Sequence, residues 1–131
     1  MKQDKYKLSE LIKTKDVTIS LHKRVAAVEI ADGTEVNYDS GYQVLERLMS
    51  MIGDKPWVYI SNRVNSYSLN PNDYKHFNEI STLKGIGVIQ YKSSIQTALD
   101  LEKMFIKKPF KTFDDLDSAI KWGLQKLNTS I

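Results

Sequence analysis

Two apolar runs separated by an amphipathic stretch constrain this chain most. Val25-Ala26-Ala27-Val28-Glu29-Ile30 and Trp57-Val58-Tyr59-Ile60-Ser61 are continuous enough to be strands buried on both faces. Between them Tyr42, Leu45, Leu48, Met49 and Ile52 recur at helical spacing, while Glu46 and Arg47 fall off that stripe. Strands joined through a helix can pair in parallel, and such crossovers are right-handed. The pattern therefore predicts an α/β fold on a mixed, mainly parallel sheet.

The rest of the chain continues the alternation. Val17, Ile19 and Leu21 alternate with Thr18, Ser20 and His22, which is the period of a half-buried strand. Lys23-Arg24 turns that strand into the next, giving an N-terminal antiparallel hairpin. Asp39 is placed to cap the first helix and Gly53 to stop it. After strand 57–61 comes a long polar loop, 62–69, and then Asn70-Pro71, a strong helix start. Tyr74, Phe77 and Ile80 make that helix's buried side. Gly85-Ile86-Gly87-Val88-Ile89-Gln90-Tyr91 is a strand led by glycines. A dinucleotide-binding loop needs its glycines after a strand, so that reading is rejected.

Ser93 and Gln96 match a capping box for a helix reaching about residue 105. Pro109-Phe110-Lys111 holds a short strand. In the last helix Asp114 is the expected cap, with Asp115 and Asp117 in the first turn. Leu116, Ala119, Ile120, Gly123 and Leu127 form its apolar face, and Trp122 lies at the margin. The tally is about five strands and about four helices. Residues 1–16 are polar and lysine-rich; Tyr6, Leu8, Leu11 and Ile12 allow a short strand or a loose helical turn there, in a segment read as flanking a single domain, 17–131.

The chain has 131 residues, 41% apolar and 27% charged, enough for one core without covalent staples. It has no cysteine, which excludes disulfides, thiolate zinc sites and a thiol nucleophile, and fits a cytoplasmic location. The first residues lack an apolar leader, and the longest aliphatic run, Val25-Ala26-Ala27-Val28, is far too short to span a membrane. Of 19 basic residues, arginine supplies Arg24, Arg47 and Arg63, so 19 less 3 leaves 16 lysines. Their scatter argues against nucleic acid as a partner. The densest group, Lys103, Lys107, Lys108 and Lys111, suits the negative pole of a helix end. His22 reads as a solvated turn residue and His76 as a helix-surface residue. Neither has a ligand-spaced partner, so no metal and no cofactor is expected.

This succession of elements, with Phe113-x-x-Leu116-x-x-Ala119-Ile120-x-Trp122 as its best local marker, resembles the STAS-like domains over roughly residues 17–127. In particular it is similar to the small bacterial SpoIIAA-like group, whose fold is shared with the lipid-binding CRAL-TRIO domain. The resemblance implies a functional position where a central strand runs into the following helix. Anti-sigma-factor antagonists of the family carry a phosphorylatable serine there, within Asp-Ser-Ser-Gly. In this chain Ser66-Tyr67-Ser68-Leu69-Asn70 stands in its place, so no residue takes over the phosphoserine.

Two functions compete on these grounds. The first is a non-enzymatic regulatory or protein-interaction domain acting through 61–77, with Ser61, Asn62, Arg63, Asn65, Ser66, Tyr67, Ser68, Tyr74 and Phe77 as its surface. Sites in open α/β sheets form beyond the carboxyl ends of the strands, and long polar loops there are often functional. The alternative is a lipid or other small apolar ligand held at the same edge by Trp57, Tyr59, Tyr67, Tyr74, Phe77 and Tyr91. An enzyme is disfavoured: Asp73 and His76 share a helix, but no Gly-x-Ser-x-Gly elbow accompanies the serines. The first strand also offers an edge for a homodimer.

Overall fold

The computed structural model describes residues 10–14, 17–31, 38–63, 74–91, 100 and 103–128. Its strands are β1 (Glu10–Lys13), β2 (Val17–His22), β3 (Val25–Ile30), β4 (Trp57–Arg63), β5 (Leu83–Gln90) and β6 (Phe110–Phe113). They lie side by side in chain order in one six-stranded sheet. β1, β2 and β3 pair antiparallel, and β3 through β6 pair parallel. The helices are α1 (Tyr38–Ile52), α2 (Tyr74–Glu79), α3 (described at residues 100 and 103–105) and α4 (Leu116–Asn128). The expected α/β class holds, with β1 added from within the segment expected to flank the domain.

Strand alternation divides the core between the two faces of the sheet. Ala26, Val28, Ile30, Trp57, Leu83 and Ile86 pack with Leu45 and Leu48 of α1 and Phe77 of α2. Met49 and Met51 fill in around them, as their flexible side chains suit. On the other face Val25, Ala27, Val58, Ile60 and Ile89 pack with Ala119, Ile120 and Leu127 of α4. Because α1 and α2 share a face while the strands advance in order, their crossovers share one hand.

β5 departs from strict alternation. Leu83 and Ile86 face the same core although three residues apart, because the β4–β5 register slips between Trp57 and Tyr59. The extra residue is a bulge beside Gly85. A Cβ at Gly85 would lie 2.9 Å from the Trp122 ring, and one at Gly87 would lie 2.7 Å from Ile60 Cδ1. The glycines leave the sheet surface bare so that the Trp122 indole can lie on it. Phe113 completes the seat, its ring centroid 5.4 Å from that of Trp122.

Several local expectations change. β4 runs on to Arg63, because Asn62 and Arg63 keep the parallel ladder with Ile89 and Gln90. α1 starts at Tyr38, so Asp39 stands within the first turn instead of before it. Gly53 ends α1 as expected: its φ is 80°, and its N–H donates to Met49 O at 2.8 Å. The cap of α4 is Asp115, not Asp114; Asp115 Oδ1 accepts from the Ser118 N–H at 2.7 Å. His22 is buried, not solvated, since it pairs with Val25 on the face that α4 covers. The starts expected at Asn70-Pro71 and Ser93 lie outside the described residues.

Asn78 of α2 pins the chain leading into β6. Its Nδ2 donates to Phe105 O at 2.9 Å, and its Oδ1 accepts from the Lys107 N–H at 2.8 Å. Both bonds are at the surface, so each is expected near the lower end of the usual net range of about 0.5–1.5 kcal/mol. Asn78→Ala is expected to lose about 1 kcal/mol in urea denaturation, and amide exchange at Lys107 should quicken.

Candidate functional site

The parallel ladder brings the carboxyl ends of β3, β4, β5 and β6 to one edge of the sheet. α4 starts at the same edge, directly after β6. Each strand contributes polar groups there, and alternation sorts them between the two faces.

On the α1/α2 face lie Ser61 and Arg63. Both are buried, at 3% and 5% exposure, and Arg63 Nε donates to Ser61 Oγ at 3.1 Å. Arginine keeps its charge at any physiological pH, so burial obliges it to be hydrogen-bonded. The serine is thereby a fixed acceptor within the strand end, not an outward hydroxyl.

On the α4 face lie Asn62 and, one residue past β5, Tyr91. Val28 pairs with Ser61, which sets Glu29 level with Asn62. The Tyr91 phenol is half-exposed, and its pKa is raised. Partial burial is the largest cause, followed by repulsion from the Glu29 and Asp115 carboxylates. A hydrogen bond from Asn62 opposes the rise without cancelling it. The phenol therefore keeps its proton at neutral pH and can both accept and donate. Asn62 Oδ1, at the other end of that amide, is buried with no hydrogen bond among the described residues. An unmet buried acceptor is costly to leave so, which makes Asn62 Oδ1 a position where a further donor would be favourable.

Asp115 has its pKa lowered, first by the Ser118 backbone N–H and then by the Ser118 side chain. A folded-state pKa below the unfolded one gives stability that is present above the ordinary value of 3.8 and lost as pH falls through the folded value. Acid melts should therefore show α4 loosening below about pH 4. Asp115→Asn keeps a good cap but cannot titrate, so it should flatten that acid limb. Circular dichroism at stepped pH checks this.

Of the residues expected to form the site, Ser61, Asn62 and Arg63 stand at the edge. Phe77 belongs to the core, its ring edge-on to Tyr59 at 5.2 Å. Tyr74 opens α2. Asn65, Ser66, Tyr67 and Ser68 lie outside the described residues. The aromatic group does not gather at one place. Trp57 is at the amino end of β4 with its Nε1 on Thr82 Oγ1 at 3.1 Å, and Tyr59 bridges it to Phe77. Tyr91 sits on the opposite face and edge. Glu29 and Asp115 were absent from the sequence-based set, and Tyr91 was placed in it for its ring alone. The carboxyl-edge rule, applied to β3, β5 and the start of α4 as well as to β4, would have found all three.

Among the described residues no group of three or more His, Asp or Glu side chains could hold a metal ion. None of their helices is long and apolar enough to cross a membrane. Comparison with protein-family models, with curated proteins and with solved structures returned no match to this chain.

Proposed function

We propose that this is a non-enzymatic regulatory or protein-interaction domain of STAS-like type, acting in the cytoplasm through the carboxyl edge of its parallel strands. The surface comprises the 61–77 loop and helix together with Glu29, Tyr91 and the start of α4. The observation that carries this reading is the Asn62–Tyr91 pair: a half-exposed phenol beside a buried amide oxygen with no donor among the described residues. Glu29 and Asp115 add negative charge around it. Such an acceptor-rich edge suits a partner that presents lysine, arginine or a main-chain N–H. Ser61 Oγ is held by a guanidinium, a donor that cannot take a proton from it, which favours a binding role over nucleophilic catalysis. The resemblance to STAS-like domains points to the same end of the sheet. An apolar ligand has less support, because Trp57, Tyr59 and Phe77 are spent on one another in the core.

Affinity capture from the native cell tests the reading. The Asn62→Ala, Tyr91→Ala variant should retain its fold and lose a captured partner by about tenfold or more, as truncating a central tyrosine does at other interfaces. A Lys55→Ala control at the opposite edge should capture it normally. Equal capture by all three proteins would refute the proposal.

A further inference from the structure

We propose that Met104 and Phe105, with Lys84, Lys103, Lys107 and Lys108, form a docking point for an anionic lipid bilayer surface. Met104 is 79% exposed and Phe105 44% exposed, the former the most exposed large apolar side chain among the described residues. They are adjacent at the end of α3. Lysines surround them: Lys103 precedes the pair and Lys107 and Lys108 follow it. Lys84 approaches from β5, its Nζ donating to Ser81 O at 3.0 Å. Lys84 is near enough to help hold the Lys108 amine below the usual lysine range, after burial as the larger cause. In the sequence of residues 100–108, Lys103, Lys107 and Lys108 stand against Asp100 and Glu102, and Lys84 adds a further positive charge.

The patch is held rigidly. Asn78 grips the backbone on both sides of Ile106 through the Phe105 carbonyl and the Lys107 N–H. The backbone that carries the patch is thus anchored before any surface is met. The shape favours a bilayer over a protein groove. A helix that docks in a groove presents anchors at i, i+3, i+4 and i+7. Here two exposed apolar groups follow one another in a single turn, roughly 100° apart around the helix, a short patch that suits shallow entry between headgroups. The lysine stems can lie along that boundary with their ammonium groups at the phosphates. Lys84 and Lys108 sit at the amino ends of β5 and β6, so docking here leaves the carboxyl edge turned away and free. The inference is therefore independent of the proposed function.

Co-sedimentation of the full chain with vesicles tests it. Phosphatidylcholine vesicles with about one-third phosphatidylserine should bind the protein, and pure phosphatidylcholine vesicles should not. Each of Lys103→Gln, Lys107→Gln and Lys108→Gln should lower binding about fivefold, from roughly 1 kcal/mol per lysine at an anionic surface. Met104→Ser should lower it about fivefold or more while leaving the melting temperature unchanged, since that side chain is 79% exposed. Equal binding to both vesicle types, no binding to either, or variants that bind like wild type would overturn the proposal. Binding to polyglutamate but not to vesicles would also overturn it, assigning the patch to an acidic protein segment.

Discussion

Replacing Trp57 by alanine is expected to remove about 3–5 kcal/mol, the usual loss on truncating a buried aromatic to alanine. Its side chain is fully buried at the start of β4, in the core beneath α1 and α2. It is tied twice to Thr82: the backbone N–H donates to Thr82 O at 3.0 Å, and Nε1 donates to Thr82 Oγ1 at 3.1 Å. Its ring also meets Tyr59 edge-on at 6.3 Å. Small domains hold about 5–15 kcal/mol in total, so this one change consumes about a fifth of the stability or more. Trp57→Phe separates the contributions. It keeps most of the volume and leaves Thr82 Oγ1 without its donor, a loss of about 1 kcal/mol for the hydrogen bond plus a smaller packing cost. Urea denaturation should show both midpoints lowered with the slope unchanged. A Trp57→Ala protein as stable as wild type would mean that this core is not packed as described.

The second large effect is expected at Gly123, where two rules conflict. In an exposed helix interior, Gly→Ala stabilises by about 0.8–1.0 kcal/mol. Gly123, however, is where α4 touches the sheet. A Cβ there would lie 2.9 Å from Val25 Cγ2, 3.1 Å from Val25 Cγ1 and 3.3 Å from Val58 Cγ1. Both valines are fully buried on central strands, and β-branched side chains have few rotamers to escape into. Overpacking of this kind costs about 1–3 kcal/mol. The packing cost wins, so Gly123→Ala should destabilise by about 1 kcal/mol and Gly123→Val by about 3 kcal/mol. Adding Val25→Ala to Gly123→Ala should cost less than the sum of the two single changes, because the new methyl then has room. Strict additivity would show that the helix shifts away instead.

What the sequence made legible follows from how local each signal is. The βαβ order was readable because the apolar periods of β3, α1 and β4 are long and unbroken. The apolar face of α4 was readable for the same reason, down to Trp122 at its margin. The purpose of the β5 glycines was hidden from the sequence: a Cβ at Gly85 or Gly87 would meet the ring of Trp122, a residue far along the chain. The cap of α4 was missed by one position because Asp114 and Asp115 have the same capping chemistry, and only the turn geometry chooses between them. β1 was legible only as one of two options for its segment, a short strand or a loose turn, since an outer strand needs few apolar residues. At the candidate site, the placing of Ser61, Asn62 and Arg63 at the carboxyl edge was legible from position alone. Which of them face inward was not, because that depends on the register of β4 against β5. Glu29 and Asp115 reach the edge from distant elements, so no local pattern marks them.

In-cell photo-crosslinking tests the location of the working surface most directly. A photoreactive phenylalanine analogue would replace Tyr91 at the carboxyl edge and, in a second protein, Lys23 at the hairpin turn of the opposite edge. The account predicts a discrete crosslinked partner from position 91 and none from position 23. A partner captured from position 23 alone, or none from position 91, would contradict the assignment of the carboxyl edge as the surface this domain uses.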